Sequence, residues 1–451
     1  MIKLIKNEII KLLHKKSIYI VLLITFLFIC LLSYLYSTEA TYDVITDFEY
    51  TGDDVIANEI NPYYKKYSMD DWQYYVLDDF QNTIGNYFGD KNNLEYKDEY
   101  EKSKQAINNN NWKYFVNKDK SEKKLELKSY QEYLKDSSLP KQEINETKAF
   151  IYQTQTQIEL LDYRLKENVS YGNDYLNEAI TSMNNASFGK YYYENISNKN
   201  DDMDYEDAVK TYYESEYILK TKEDTNNVQD LRSNIIHFLD DYIFLILVFG
   251  VMIAGSIVSE EYNKGTIKSL LITPYKRSSI LIAKFITVLI MLLAFIIIAY
   301  LMDLLVGGMF LGFSSLKNHV AIYNLSTKTL EVMSIFKYVL IKLIATLPMI
   351  ILLVTLAFSV STIIGSTPFA IVITFAGYIG SSIVNSFALY YKIDILKYFV
   401  TTNWDFNEYL FGATSRYNTS LTHAIIVCIV YFLIMIITSI LVFKRKNIKN
   451  V

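Results

Sequence analysis

Apolar positions are spread unevenly along the chain. One apolar stretch occupies residues 17–36, residues 37–234 are polar, and five more apolar stretches lie at 235–258, 280–306, 338–361, 368–390 and 421–443. Stretches of roughly 18 or more apolar residues match the ~30 Å hydrocarbon layer of a bilayer when helical. In lipid the backbone must satisfy its own hydrogen bonds, which a helix does within one segment. The pattern predicts an all-α polytopic membrane protein: six transmembrane helices with a large, mainly helical extracellular domain between helices 1 and 2.

Local periodicity fills in the rest. Residues 1–16 place Ile2, Ile5, Ile9, Leu12 and Leu13 at helical spacing with lysines opposite, the pattern of an interfacial amphipathic helix. Within the polar domain, residues 121–168 read as a helical hairpin. Ser121–Lys135 is rich in helix formers, and Pro140 restarts a helix in which Ile144, Ile151, Ile158 and Leu165 recur every seven residues. Residues 391–420 form an extracellular or re-entrant segment, residues 307–337 an extracellular loop, and residues 444–451 a cytoplasmic tail.

Charge sets the expected orientation. Lys3, Lys6, Lys11, Lys15 and Lys16, then Lys264, Lys268, Lys276 and Arg277, then Lys444, Arg445, Lys446 and Lys449 fall on one side of a six-span chain. Basic residues accumulate in short cytoplasmic segments, so the expected location is the cell membrane, multi-pass, with both termini cytoplasmic. Residues 37–233 hold 39 acids and 23 bases, whereas the rest of the chain holds 10 acids and 21 bases. An acidic outer domain attracts cationic ligands, or simply keeps the domain soluble. Tyrosine is concentrated there, including Tyr191, Tyr192 and Tyr193, either as a ligand surface or as half-buried packing.

Both cysteines, Cys30 and Cys428, fall inside predicted spans, so no disulfide is expected in the polar domain. That absence, with the abundance of Ile, Lys, Asn and Tyr, suits a Gram-positive bacterium of low GC content. The first span is longer than a signal-peptide core and is followed by Tyr34, Leu35 and Tyr36, so it reads as an anchor.

Motifs for chemistry are nearly absent. No G-x-x-x-x-G-K-S/T phosphate loop, H-E-x-x-H or G-x-S-x-G occurs, and His14, His237, His319 and His423 are isolated. No enzyme activity, cofactor or metal is expected in this chain, and no nucleic-acid partner. Among the charges inside predicted spans, Asp303 and Lys284 stand out as pathway or interfacial residues. Asp303 lies near the outer end of its span, and Lys284 close enough to the inner end to snorkel.

The loop 259–279 has the look of a working part. Glu260 and Glu261 stand at a helix exit, and Gly265 and Thr266 can cap and restart a short helix. Leu270 and Leu271 lie on its apolar face, and Pro274 ends it before Arg277. The pattern E-E-x-x-x-G-T-x-K-x-L-L-x-x-P-x-x-R, followed by Lys284, resembles the ABC-2 type transport permeases, as does the layout of one span, a large outer domain and five further spans. The resemblance implies a coupling helix received by a separate ATP-binding cassette subunit, carried on Glu260, Glu261, Gly265, Thr266, Leu270, Leu271, Pro274 and Arg277. It also implies ATP and Mg in that partner subunit, and a second permease as homodimer or sister subunit within membrane lipid. The function so implied is an export path for an amphipathic substrate, of antimicrobial-peptide (lantibiotic) or lipid type. The alternative is a non-transporting sensor or scaffold whose outer domain binds a peptide or cell-wall ligand.

Overall fold

The computed structural model describes residues 1–38, 49–196, 206–225, 230–266, 275–391, 393–412 and 419–445. Helix α1 (Ile2–Leu13) turns into α2 (Lys16–Ser37), the first long apolar helix. The polar domain follows as α3 (Asp54–Lys66), α4 (Leu77–Gly89), α5 (Leu94–Asn108), α6 (Trp112–Tyr133), α7 (Lys141–Glu167), α8 (Tyr175–Asn195) and α9 (Glu206–Thr221). Then come α10 (Leu231–Asn263), α11 (Arg277–Leu311), the strands β1 (His319–Asn324) and β2 (Thr329–Ser334), α12 (Ile335–Ile364), α13 (Thr367–Tyr391) and α14 (Leu421–Arg445). Among the described residues, α2, α10, α11, α12, α13 and α14 are long and apolar enough to cross a membrane. The chain is an all-α polytopic membrane protein.

Short polar side chains start the helices of the polar domain. Asp53 accepts from the Val55 and Ile56 N–H groups, Asn93 from Glu95 and Tyr96, and Asp174 from Leu176 and Asn177. Each fills donors that a helix start leaves open. Two cores result. Ile60, Leu77, Phe80, Ile84 and Phe115 close the first, and Leu160, Ile180, Met183, Ile218 and Leu219 the second. The seven-residue seam on α7 is only half-buried, while Thr147, Ala149, Thr154, Thr156 and Leu160 are buried. The reason is that α7 packs between α6 and α8, so two faces with small residues are covered rather than one narrow stripe.

Helix α10 is the centre of the bundle, packing against α2, α11, α12 and α13. Phe249 stacks on Phe295 of α11 at 4.0 Å. Gly250 lets α12 come close, since a Cβ there would lie 2.7 Å from Val354 Cγ2. With 33 residues α10 runs for about 50 Å at 1.5 Å per residue, longer than a bilayer core, so both of its ends project. The outward faces of α2, α13 and α14 stay apolar and exposed, among them Leu27, Leu31, Ile379, Ile383, Ile429 and Ile437.

One feature departs from the sequence expectation, and the segment after α13 takes the re-entrant of its two expected forms. The loop 307–337 is not plain loop: α11 continues to Leu311, and β1 and β2 form an antiparallel hairpin with His319 opposite Ser334. The segment after α13 tucks back into the bundle in single helical turns. Its Phe406 N–H donates to Ala345 O at 3.1 Å, beside Pro348 of α12, and Trp404 is buried in the core of the bundle.

Candidate functional site

At the end of the bundle that carries α1, three lysines meet three glutamates. Lys284 of α11 is enclosed, its side chain only 2% exposed, and its Nζ lies 2.8 Å from Glu8 Oε2 and 3.2 Å from Glu261 Oε1. Lys11 reaches the same two carboxylates at 3.3 and 3.1 Å. Lys15 pairs with Glu260 at 2.6 Å and donates to Ser256 Oγ at 3.2 Å. Thr266 closes the set by donating to Glu261. An enclosed charge is tolerable only when partners and hydrogen bonds replace its hydration, and here they do. The sequence expectation that Lys284 snorkels to the interface is therefore corrected. Its stem is long enough, but its amine turns inward to two carboxylates.

This network fixes both ends of the segment between α10 and α11. Asn263 is the last residue of α10, and Gly265 takes φ +68°, with its N–H on Tyr262 O at 3.1 Å. Gly265 therefore ends α10 in the left-handed conformation that glycine adopts without strain. At the far end Arg277 Nη1 donates to Lys444 O of α14 at 3.1 Å. The chain's first helix and its last helix thus each hold one end of the loop. Leu270, Leu271 and Pro274, together with the short helix expected there, lie outside the described residues. Of the residues singled out from sequence, the structure brings Glu260, Glu261, Thr266 and Lys284 to one place and sets Arg277 against α14.

Glu8 was missed. Its signal was present, because it stands three residues after Ile5 and four before Leu12, on the side of α1 that turns inward. Both Glu8 and Leu12 are buried, so α1 is docked on the protein by that side rather than merely floating at an interface.

The opposite end of the bundle holds a polar cavity of about 510 Å³ between α10, α12, α13 and the tucked-in segment. Asp240, Thr346, Ser381, Asn385, Asp405 and Asn407 line it. Lys342 Nζ bridges Asp240 Oδ2 at 2.5 Å and Ile236 O at 3.1 Å. Asp303 is also at this end of α11, but it is fully buried rather than interfacial. Its Oδ1 accepts from Asn234 Nδ2 at 3.0 Å and from the Tyr242 hydroxyl at 3.3 Å.

The polar domain meets the bundle through the hairpin. Tyr213 of α9 stacks on Tyr323 of β1 at 4.3 Å, and Glu214 Oε1 accepts the Tyr323 N–H at 3.2 Å. Burial pushes the Glu214 carboxyl up to about 7, against the opposing pull of that N–H. Val320 and Met333 of the hairpin in turn pack on Leu231 and Ile235 of α10. Among the described residues no group of three His, Cys, Asp or Glu side chains is placed to hold a metal ion.

The family model described as "Protein of unknown function (DUF2705)" matches residues 196–449, more than half of the chain. The chain belongs to that family. The matched region takes in α9, the hairpin, both ends of the α10–α11 loop and every membrane-type helix except α2. The chain is also similar to "Uncharacterized protein YhcI" of Bacillus subtilis (strain 168), at 26% identity over 205 residues. That match covers 45% of this chain and 64% of the relative. No solved structure matches the chain.

Proposed function

We propose that this chain is the permease subunit of an ATP-driven exporter, with separate ATP-binding subunits docking on the loop between α10 and α11. The observation that carries the reading is the enclosed Lys284–Glu261–Glu8 cluster, which joins α1, α10 and α11 beside that loop. A docked subunit that moves the loop would move all three helices together, because separating them would strand buried charges. The resemblance of residues 260–284 to ABC-2 permeases supplies the partner. The lysine-rich end faces the cytoplasm in this reading, by the charge bias of inner segments. The polar cavity at the far end lies where an exported amphipathic molecule would leave.

A sensor is the second reading, favoured by one observation. The Tyr213–Tyr323 stack gives the polar domain a direct contact with the hairpin that leads into α12.

One experiment separates them. Leu270→Asp with Leu271→Asp removes apolar contact worth about 1.5–3 kcal/mol per side chain at a docking cleft. The enclosed cluster is untouched, so membrane insertion stays normal and the co-purified ATPase is lost. In the same cells a cysteine at Ser138 reacts with an impermeant thiol reagent, and one at Ser269 only after permeabilisation. Full complex and full transport in the double mutant would make the loop a mere connector and remove the docking argument, whereas a native chain with neither a co-purified ATPase nor transport would leave the sensor.

A further inference from the structure

Asp303 sits where helices α2, α10 and α11 face one another, and its surroundings are unbalanced. Oδ1 has two donors, whereas among the described residues Oδ2 has no hydrogen-bond partner. Three neighbouring oxygens share that condition: Ser33 Oγ of α2, Asn234 Oδ1 of α10 and the Tyr300 hydroxyl of α11. Asp303 and Ser33 are 0% exposed and Asn234 is 2% exposed. Helical spacing brings the groups together. Tyr300, Asp303 and Gly307 fall on one face of α11, and Asn234 and Tyr242, two turns apart, fall on one face of α10. Gly307 is what allows the approach. A Cβ there would lie 2.8 Å from Asn234 Nδ2 and 3.8 Å from Ser33 Oγ.

We propose that Asp303, Asn234 and Ser33, with Tyr300 beside them, bind one monovalent alkali cation of the sodium or potassium class. A carboxylate enclosed among an amide, hydroxyls and apolar rings needs one positive charge, and no lysine or arginine forms an ion pair with it among the described residues. One carboxylate among neutral oxygens is the wrong donor set for a divalent ion, whose protein sites take several charged oxygens. A proton on Oδ2 would neutralise the charge but satisfy at most one of the other oxygens. A coordinated cation uses lone pairs from all of them and neutralises the carboxylate at once. The proposal is independent of the transport reading, since a cation held between α2, α10 and α11 would brace these helices in a permease or a sensor alike.

The test uses the purified full chain in nanodiscs. Radioactive sodium and rubidium are titrated in choline chloride at fixed pH and ionic strength, with thermal unfolding followed in parallel. Expected is saturable binding of one ion per chain, with unfolding moved to higher temperature by sodium or potassium and not by choline. Asp303→Asn should abolish both effects while remaining as stable in choline as the native chain. If that variant does not fold, Ser33→Ala and Gly307→Ala keep the charge and should bind about 10-fold more weakly or worse. Asp241→Asn, beside Tyr242 and bonded to Tyr36, keeps every oxygen of the site and should still bind one ion, less tightly for the loss of a nearby negative charge. Absence of saturable binding in the native chain, or binding retained in Asp303→Asn or in both of the other site variants, overturns the proposal. So does stabilisation in choline that follows pH alone and disappears in Asp303→Asn, because a proton then fills the site.

Discussion

In the polar domain Lys102 and Asp98 pair at 2.6 Å with side chains 58% and 61% exposed, and Lys65 and Glu49 pair at 3.4 Å with 68% and 57% exposed. In the bundle Lys284 has two carboxylate partners and is 2% exposed. The same chemical pair therefore does different work in the two regions. At these surface pairs of the domain, water screens the charges, and apolar clusters such as that around Phe80 hold the helices together. In the bundle, water is excluded, lipid offers no replacement, and each charge is held by named partners. The domain can thus change many surface charges without losing its shape, whereas the bundle cannot lose one partner of its cluster.

The largest effect that would break this comparison is at Lys284. Lys284→Met leaves Glu8 and Glu261 enclosed with only the half-exposed Lys11 between them, and removing one partner of a buried pair costs roughly 3–5 kcal/mol. Thermal unfolding in detergent should show a fall of several degrees or loss of expression. Replacing all three residues (Lys284→Met, Glu8→Gln, Glu261→Gln) should recover much of the stability, because no unpaired charge remains. A Lys284→Met protein as stable as the native chain would mean that the cluster is not holding α1, α10 and α11 together.

That cluster also shows what a sequence can and cannot disclose. The apolar stretches were legible because each is long enough to be decisive alone, and the structure places helices over all six. Glu261 and Lys284 were legible as residues but not as a pair. Glu8 shares a face with Ile5 and Leu12, but an acid in a basic amphipathic helix normally points to water, and the docking of α1 turns this one inward. The β1–β2 hairpin was missed for a different reason. Its strands are six residues each, and their burial depends on contacts with α9 and α10 rather than on clean alternation. On α7 the regular seam attracted attention away from small residues, whose burial follows from having two neighbours.

The boundary between the two regions should respond to pH through Glu214. Its carboxyl titrates near 4.5 when unfolded and is raised to about 7 by burial against β1. Below the unfolded value both states are protonated and the contact has its full strength. As pH rises through the folded value, a buried carboxyl must ionise, and up to about 3 kcal/mol of stability is lost. Once the intrinsic base-catalysed rise in exchange is divided out, protection at α9 and β1 should therefore fall between about pH 5 and about pH 8. Glu214→Gln should flatten that dependence and leave exchange in the bundle unchanged. Protection in the native chain that rises with pH would reverse the assignment of the charge state.

The smallest effect is expected where the pair geometry looks best. Lys102 and Asp98 are four residues apart on α5 at 2.6 Å, and the lysine titrates above its usual value because its ammonium donates a hydrogen bond to the Asp98 carboxylate. Both side chains are nevertheless surrounded by water, which screens the pair and leaves each free to be hydrated alone. Lys102→Ala should leave the unfolding temperature within error of the native chain, in low salt and in high salt. The control is Phe80→Ala, which opens a hole in the first domain core and should make α3, α4 and α5 susceptible to protease. If Lys102→Ala instead destabilised the protein as severely as Lys284→Met, distance rather than burial would be governing these charges. The contrast between domain and bundle would then fail.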